Sequence, residues 1–131
     1  APAEPSARTA GETVLLVEDD NRVRNLTGKR LRNLGYRVIE ARDGREALDM
    51  LEGGIRVDLV FSDLVMPGGV SGQQVCARAH ELDPSVKTLL TSGYSDEVRK
   101  AADEQSGRPG LLRKPYRQRD LDQALRELFG S

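Results

Sequence analysis

Short apolar runs alternate along the chain with segments whose apolar residues recur at helical spacing, from residue 13 to the C-terminus. Short apolar runs indicate strands buried on both faces, and the helical segments between them are the crossovers that parallel strands require. Right-handed crossovers place helices on both faces of one sheet. The pattern therefore predicts an α/β, doubly wound domain of five βα pairs. Predicted strands cover residues 14–17, 36–40, 57–61, 86–91 and 111–113, and predicted helices cover about 21–34, 43–51, 72–82, 95–105 and 118–129.

The length and charge of the chain exclude several functions. The 131 residues fit one compact domain, which we assign to residues 13–131. Residues 1–12 contain no Val, Leu, Ile, Met or aromatic side chain and are interpreted as a flexible linker or tail. Lys and Arg number 20 against 21 Asp and Glu, so the net charge of −1 argues against nucleic acid binding. No apolar run approaches the roughly 20 residues of a membrane span.

The cysteine and histidine content limits the available chemistry. Cys76 is the single cysteine, which excludes an internal disulfide, and the chain starts without a signal-peptide pattern, so we expect a cytoplasmic protein. With His80 as the single histidine, zinc sites and Ser-His-Asp or Cys-His catalysis are poorly supplied. We interpret Cys76 as a small core residue and His80 as a solvated or helix-capping side chain. Chemistry in this chain therefore depends on carboxylates, hydroxyls and lysine.

Polar residues follow four of the five predicted strands, where open parallel sheets bind their ligands. They are Glu18, Asp19 and Asp20 after the first strand, Asp63 after the third, Thr91 and Ser92 at the fourth, and Lys114 after the fifth. If the first and third strands are neighbours, the acids of the two strands converge, and clustered carboxylates repel one another unless a cation joins them. A ligand set made only of oxygens favours Mg²⁺ or a similar hard ion.

These groups together suit phosphoryl transfer to a carboxylate. A metal and a lysine would neutralise the phosphoryl oxygens while Asp63 attacks in line. Each residue alone also has a structural interpretation: Asp20 or Asn21 as a helix cap, Ser92 as a turn residue, and Lys114 as a solvated charge. The joint placement of these residues at four strand ends favours the functional interpretation.

Four motifs resemble the receiver domain of two-component response regulators, in the order of that family and over residues 13–131. VLLVEDD resembles the first strand with its acidic pair, and DLVFSDLVMPGGVSG resembles the phosphoacceptor strand and loop. LLTSGY resembles the strand that carries the switch hydroxyl, and LLRKPY resembles the lysine-proline turn. The resemblance implies a flavodoxin-like, doubly wound (βα)5 domain with a five-stranded parallel sheet in the order 2-1-3-4-5.

The resemblance also implies a role for each matching residue. Asp63 matches the phosphorylated aspartate. Mg²⁺ would be bound by Glu18, Asp19, Asp63 and the backbone carbonyl of Val65. Ser92 matches the switch hydroxyl better than Thr91, because Gly93 follows it as the small residue that the family places there. Lys114 would contact the phosphoryl group.

The function implied is that of a phosphoacceptor signalling domain, which catalyses its own phosphorylation and dephosphorylation but turns over no other substrate. A histidine kinase or histidine phosphotransfer protein would be the partner. Phosphorylation would switch the face formed by the helix predicted over 95–105, the fifth strand and the last helix, called α4-β5-α5 in the family, and a homodimer could form through the same face. The resemblance extends to the C-terminal receivers of hybrid sensor histidine kinases, and a stand-alone regulator is the other arrangement.

Two alternatives from other functional classes remain open on the residues alone. An aspartate-nucleophile phosphohydrolase would share Asp63, the metal and the lysine, but it needs a second acid as general acid where the sequence has Val65. A phosphorylation-independent interaction module would need none of these groups, and this chain retains them. Val65 has no polar side chain to orient water, so we expect a relatively long-lived phosphoryl-aspartate. Leu111 stands where the family commonly has an aromatic switch residue.

Overall fold

The computed structural model describes residues 11–66, 68–92, 110–113 and 116–129, and for residues 92, 110, 111 and 113 it describes the backbone alone. Five strands and four helices are present in these ranges. The strands are β1 (Thr13–Val17), β2 (Arg37–Ala41), β3 (Leu59–Asp63), β4 (Lys87–Ser92) and β5 (Gly110–Arg113). The helices are α1 (Asn21–Asn33), α2 (Gly44–Glu52), α3 (Gly72–Leu82) and a C-terminal helix (Gln118–Phe129).

All five strands are parallel and lie in the order β2-β1-β3-β4-β5, which confirms the predicted fold and strand order. In the register, Val17 pairs with Ser62 and Asp63 pairs with Thr91. The carboxyl ends of β1, β3 and β4 therefore meet at one edge of the sheet.

The core has two layers, one on each face of the sheet. Successive residues along each strand point to opposite faces, so neighbouring side chains of one strand join different layers. One layer contains Leu15, Val17, Val60 and Leu90, packed with residues of α2 and α3. The other contains Val14, Leu16, Phe61 and Leu89, packed with residues of α1 and the C-terminal helix. Burial on both faces explains why the strands read as continuous apolar runs in the sequence.

The N-termini of the first three helices are capped by side chains that accept backbone N–H bonds. Asp20 is the N-cap of α1 and accepts from Arg22 and Val23 at 2.8 and 3.1 Å. Of the two predicted cap candidates, Asp20 and Asn21, the structure selects Asp20, because its carboxylate already satisfies these donors. Asp43 caps α2, and Ser71 caps α3 in a reciprocal pair with Gln74.

Strand boundaries differ from the predictions by one or two residues for physical reasons. Tyr36 donates its backbone N–H to Leu31 in the turn that follows α1, so β2 begins at Arg37 rather than at Tyr36. Val57 is buried, but sheet pairing of β3 begins at Leu59, and Asp58 instead accepts the backbone N–H of Thr13 through its side chain at 2.8 Å. Gly35 follows α1 with φ of 101°, as expected of a glycine that ends a helix.

Several predictions fall outside the described ranges: most of the tail predicted over residues 1–12, the helix predicted over 95–105, Gly93, and the Lys114-Pro115 turn. Among the residues that the structure does describe, no helix is both long enough and apolar enough to cross a membrane.

Gly72, the first residue of α3, lies where a side chain would collide with the end of β3. A Cβ atom at this position would overlap the backbone oxygen of Asp63 and would approach the Ser62 hydroxyl and a methyl group of Leu90 to 2.9 Å. Gly28 in α1 differs, because its nearest neighbours are the flexible ends of Glu40 and Arg32 at 3.1 and 3.2 Å. The strand that ends at Asp63 and the start of α3 therefore pack closely only with glycine at residue 72.

We predict that Gly72→Ala lowers the free energy of unfolding by about 1–3 kcal/mol, the usual cost of overpacking. Gly28→Ala is the matched control: it adds the same methyl group in a helix, where Ala is favoured over Gly, and should change stability by less than about 1 kcal/mol. Urea unfolding of both variants followed by circular dichroism measures the difference. Equal stability of the two variants would contradict the packing described at Gly72.

Cys76 is 3% exposed in the core, which confirms its prediction as a core residue, and burial raises the pKa of its thiol to about 12. At pH 8 only about one molecule in ten thousand would carry the reactive thiolate. We therefore predict that iodoacetamide leaves the folded protein unlabelled under conditions in which the guanidinium-unfolded chain is fully labelled. Rapid labelling of the folded protein at its single cysteine would contradict this burial.

Candidate functional site

The turn after β1 holds Glu18 at three points. The Glu18 backbone N–H donates to the carbonyl of Ala41 at 3.1 Å, and its carboxylate accepts from the backbone N–H of Asp20 at 3.2 Å. The Glu18 backbone carbonyl accepts from the Arg24 guanidinium at 2.9 Å. Glu18 is only 6% exposed, whereas Asp19, next in the chain, is exposed. One acid of the pair is therefore fixed within the protein and the other faces solvent.

Asp63 is the last residue of β3 and is half-buried. The buried hydroxyl of Ser62 donates to the Asp63 carbonyl at 2.9 Å. The next residue, Leu64, donates its backbone N–H to Thr91 at 2.9 Å and accepts from Gly72 at 3.1 Å. Bonds to both β4 and α3 thus fix the backbone around Asp63 while its side chain stays accessible.

Glu18, Asp19 and Asp63 converge as the sequence predicted for neighbouring first and third strands. Each offers a carboxylate oxygen, and the three oxygens lie within 4.8 Å of one another. Three carboxylates this close repel one another, and a bound cation relieves that repulsion. Because all three donors are oxygens, the site fits a hard divalent cation such as Mg²⁺ rather than a soft metal.

A small cleft adjoins the acids at the end of the sheet. Glu18 and Asp63 line it together with three buried hydroxyl residues, which are Thr27, Ser62 and Thr91. The rings of Phe61 and Tyr116 also line this cleft, with ring centroids 6.4 Å apart. The acids therefore share this cleft with hydroxyl residues and an aromatic pair.

The remaining predicted site residues are placed to different degrees. Val65 lies two residues after Asp63 with its side chain 60% exposed. Ser92 is the last residue of β4, one residue beyond the Thr91 that pairs with Asp63. Arg113, the last residue of β5, pairs with Ser92, so Lys114 follows a strand end at the same edge of the sheet but lies outside the described ranges. The metal-binding role of the Val65 carbonyl and the roles of Ser92 and Lys114 stay predictions.

Arg24 is a site-proximal residue that the sequence analysis did not identify. It is one of five basic residues in α1, and nothing in the helical pattern distinguishes it from the others. Its contact with the Glu18 carbonyl exists because the chain turns back after β1, which brings the first turn of α1 over that carbonyl.

Comparison with known proteins assigns the family. The response regulator receiver domain matches residues 14–126 of the chain. The sensor kinase CckA of Brucella abortus is 35% identical over 118 residues, which are 89% of this chain and 12% of that protein. The receiver protein CpdR of Brucella abortus is 32% identical over 108 residues, covering 82% of this chain and 88% of that protein. The chain spans about half or less of several other curated relatives it matches.

A solved structure resembles the fold over nearly the whole chain. It is the receiver domain of the sensor histidine kinase PA1611 from Pseudomonas aeruginosa, with a magnesium ion coordinated in its active site cleft. The two chains are 27% identical with a TM-score of 0.79, over 93% of this chain and all of that one. The family match, the sheet order and the acidic cluster agree with one another, and the chain therefore belongs to the response regulator receiver domain family of two-component systems.

Proposed function

We propose that Asp63 is the phosphoacceptor of this receiver domain and takes its phosphoryl group from a phosphohistidine. The convergence of three carboxylate oxygens within 4.8 Å supports this most directly, because it combines an accessible nucleophile with a cation site. Asp63 is half-buried at the end of a central strand, and hydrogen bonds to β4 and α3 hold the backbone on either side of it. This arrangement orients a carboxylate toward solvent with little conformational freedom to lose on reaction.

In the proposed step, one carboxylate oxygen of Asp63 attacks the phosphorus atom of the donor in line. An O–P bond forms, the P–N bond to the histidine ring breaks, and the ring nitrogen keeps the electron pair and takes up a proton. The product is an acyl phosphate on Asp63 and a neutral histidine on the donor. A small donor such as acetyl phosphate would react in the same way, with acetate as the leaving group.

Glu18, Asp19 and Asp63 would hold the Mg²⁺ ion, with the Val65 carbonyl as a further proposed ligand. When bound, the ion supplies positive charge that offsets the charge of the phosphoryl oxygens and of the carboxylates. Buried Glu18 is fixed by its hydrogen bonds and sets the position of the site, while exposed Asp19 leaves one side open to solvent.

Ser92 and Lys114 are the proposed contacts of the transferred phosphoryl group. Both follow strands whose ends lie at the same edge as Asp63. A hydroxyl and an ammonium drawn to the phosphoryl oxygens would favour one of two arrangements of the residues after β4. We propose that this shift alters the face formed by residues 95–105, β5 and the C-terminal helix, through which the signal would pass onward.

The parent protein is proposed to be either a hybrid sensor histidine kinase or a stand-alone response regulator, working in the cytoplasm. The matches to a sensor kinase and to a receiver protein support one arrangement each. A histidine kinase or a histidine phosphotransfer domain is the partner proposed in either case. The domain turns over no substrate other than its own phosphoryl group.

We predict that incubation with phosphoramidate and Mg²⁺ adds one phosphoryl group, a gain of about 80 Da in intact mass. Asp63→Asn, which keeps the shape of the side chain and removes the nucleophile, should give no adduct. EDTA should also abolish the adduct in the wild-type protein, because the three carboxylates then lack a bound cation.

The alternatives give different results in the same assay. An interaction module would bind its partner without any adduct on the wild-type protein, and this result would contradict the proposal. A phosphohydrolase would release p-nitrophenol from p-nitrophenyl phosphate over many turnovers, in a manner lost in Asp63→Asn. Continuous turnover of this kind would likewise contradict a role limited to accepting one phosphoryl group.

We further predict that the phosphoryl-aspartate outlasts minutes once free donor is removed. Val65 presents an exposed, apolar side chain two residues from Asp63 and has no group to orient a water molecule for attack. Val65→Asn supplies such a group and should shorten the half-life of the adduct, followed by intact mass against time.

Leu26→Asn is the matched control for the lifetime experiment. Leu26 is 51% exposed on α1, close to the 60% of Val65, so the same kind of substitution is made on another exposed apolar residue. Its half-life should equal that of the wild-type protein. A wild-type half-life of seconds, or an equal effect of the two substitutions, would contradict the role given to Val65.

A further inference from the structure

Arg24 joins three parts of the molecule around the acidic cluster. One guanidinium nitrogen donates to the backbone carbonyl of Glu18 at 2.9 Å, and another donates to the side-chain oxygen of Asn21 at 2.5 Å. The third nitrogen lies 3.6 Å from a carboxylate oxygen of Glu40 on β2. The Arg24 side chain is only 12% exposed, so these contacts are made largely out of solvent.

The Glu18 carbonyl belongs to the peptide unit that joins the two acids of the first strand end. A peptide unit is planar, so the direction of this carbonyl also sets the direction of the Asp19 N–H and the path of the chain into Asp19. A hydrogen bond that fixes the carbonyl therefore restricts how the two carboxylates are presented. The hydrogen bond from Arg24 is made to the backbone between the two acids.

We propose that Arg24 is a positioning residue for the cation site: it fixes the peptide between Glu18 and Asp19 so that both carboxylates converge with that of Asp63. This inference rests on the proposed function, because it concerns the same site. Groups that orient metal ligands commonly change metal affinity or activity by about 10- to 100-fold when they are removed. The guanidinium suits this role better than the ammonium of a lysine, because its several N–H donors point in fixed directions within one plane.

Arg32 offers a matched control on the same helix. It also pairs with Glu40, at 3.3 Å, but its side chain is 51% exposed, and the Glu18 carbonyl accepts from Arg24 instead. A substitution at Arg32 therefore tests the ion pair with Glu40 without touching the Glu18 carbonyl. Glu40→Gln is a second control, because it removes the shared carboxylate charge and leaves the bond from Arg24 to Glu18.

The experiment measures the Mg²⁺ dissociation constant by calorimetric titration of the wild-type protein, Arg24→Lys, Arg32→Lys and Glu40→Gln. Lysine keeps the positive charge, so the electrostatic effect on the cation changes little and the geometry is tested. We expect Arg24→Lys to raise the dissociation constant about 10-fold. Arg32→Lys should stay within about twofold of the wild-type value, since exposed ion pairs contribute little. Glu40→Gln should do the same, because it leaves the hydrogen bond from Arg24 to the Glu18 carbonyl in place.

The rate of phosphorylation by phosphoramidate provides a second readout. At Mg²⁺ concentrations far above the raised dissociation constant, Arg24→Lys should regain most of the wild-type rate, whereas a variant with a damaged fold would not. Should Arg24→Lys unfold, Asn21→Ala loosens the same guanidinium without removing it and should raise the dissociation constant about threefold.

The outcomes separate this inference from the proposed function. Equal Mg²⁺ affinity in Arg24→Lys and the wild-type protein, or in folded Asn21→Ala and the wild-type protein, overturns the positioning role while the phosphoacceptor proposal stands. Equal losses in Arg24→Lys and Arg32→Lys also overturn it, because the shared ion pair with Glu40 would then be the cause. A wild-type protein that binds no Mg²⁺ and forms no adduct overturns both.

Discussion

The parallel pairing of β1 with β3 is the constraint on which the acidic site depends. In this register Val17 pairs with Ser62, so the residues that follow, Glu18 and Asp63, lie next to each other at the carboxyl ends of the two strands. A shift by one residue would turn each side chain to the other face of the sheet, where it would have to pack among the differently shaped side chains of the other core layer. The two-layered core thus fixes the register, and the register brings mutually repelling carboxylates within 4.8 Å of one another. The free energy of apolar burial holds together a site that electrostatics alone would separate.

Close packing between helix N-termini and the backbone near Asp63 also supports the acidic site. Gly72 allows the first turn of α3 to lie against the carbonyl of Asp63, and Gly44 allows the first turn of α2 to lie against Val70 in the loop that follows the site. A Cβ atom at Gly44 would come within 2.6 Å of a Val70 methyl group. The segment from Asp63 to Gly72 is therefore held at both ends by helices that approach closely because glycine occupies their first positions. On the other side, Arg24 holds the turn after β1, so the two acidic segments are fixed independently.

Much of this structure follows from the sequence, and the part that does not has definable causes. The alternation of apolar runs and helical segments predicts the five strands, their parallel direction and the helices on both faces, because burial on both sides requires continuous apolar strands. The acids are predictable as strand-end residues in the sequence. Helix caps are less predictable. Asp20 and Asn21 are adjacent and both can cap a helix, and only the extended backbone conformation at Asp20 selects it as the cap. The role of Arg24 is not predictable, because its partner is the backbone carbonyl of a residue six positions earlier. Every residue has such a carbonyl, so the sequence does not indicate which one is bound. The close packing of Gly72 against Asp63 is also a tertiary feature, and it cannot be predicted from the presence of a glycine where a loop meets a helix.

We propose that Glu18, Asp19 and Asp63, whose carboxylate oxygens converge at the end of the sheet, form one cation site. A titration of the ¹⁵N-labelled protein with Mg²⁺, followed through its backbone amide resonances, tests this most directly. We expect saturable shifts concentrated at residues 18–20 and 62–66. The amides near Glu52 and Glu81 should not move, because Arg78 already pairs with both of these carboxylates. Shifts spread evenly over the exposed acids, or no saturation at any of them, would contradict the claim.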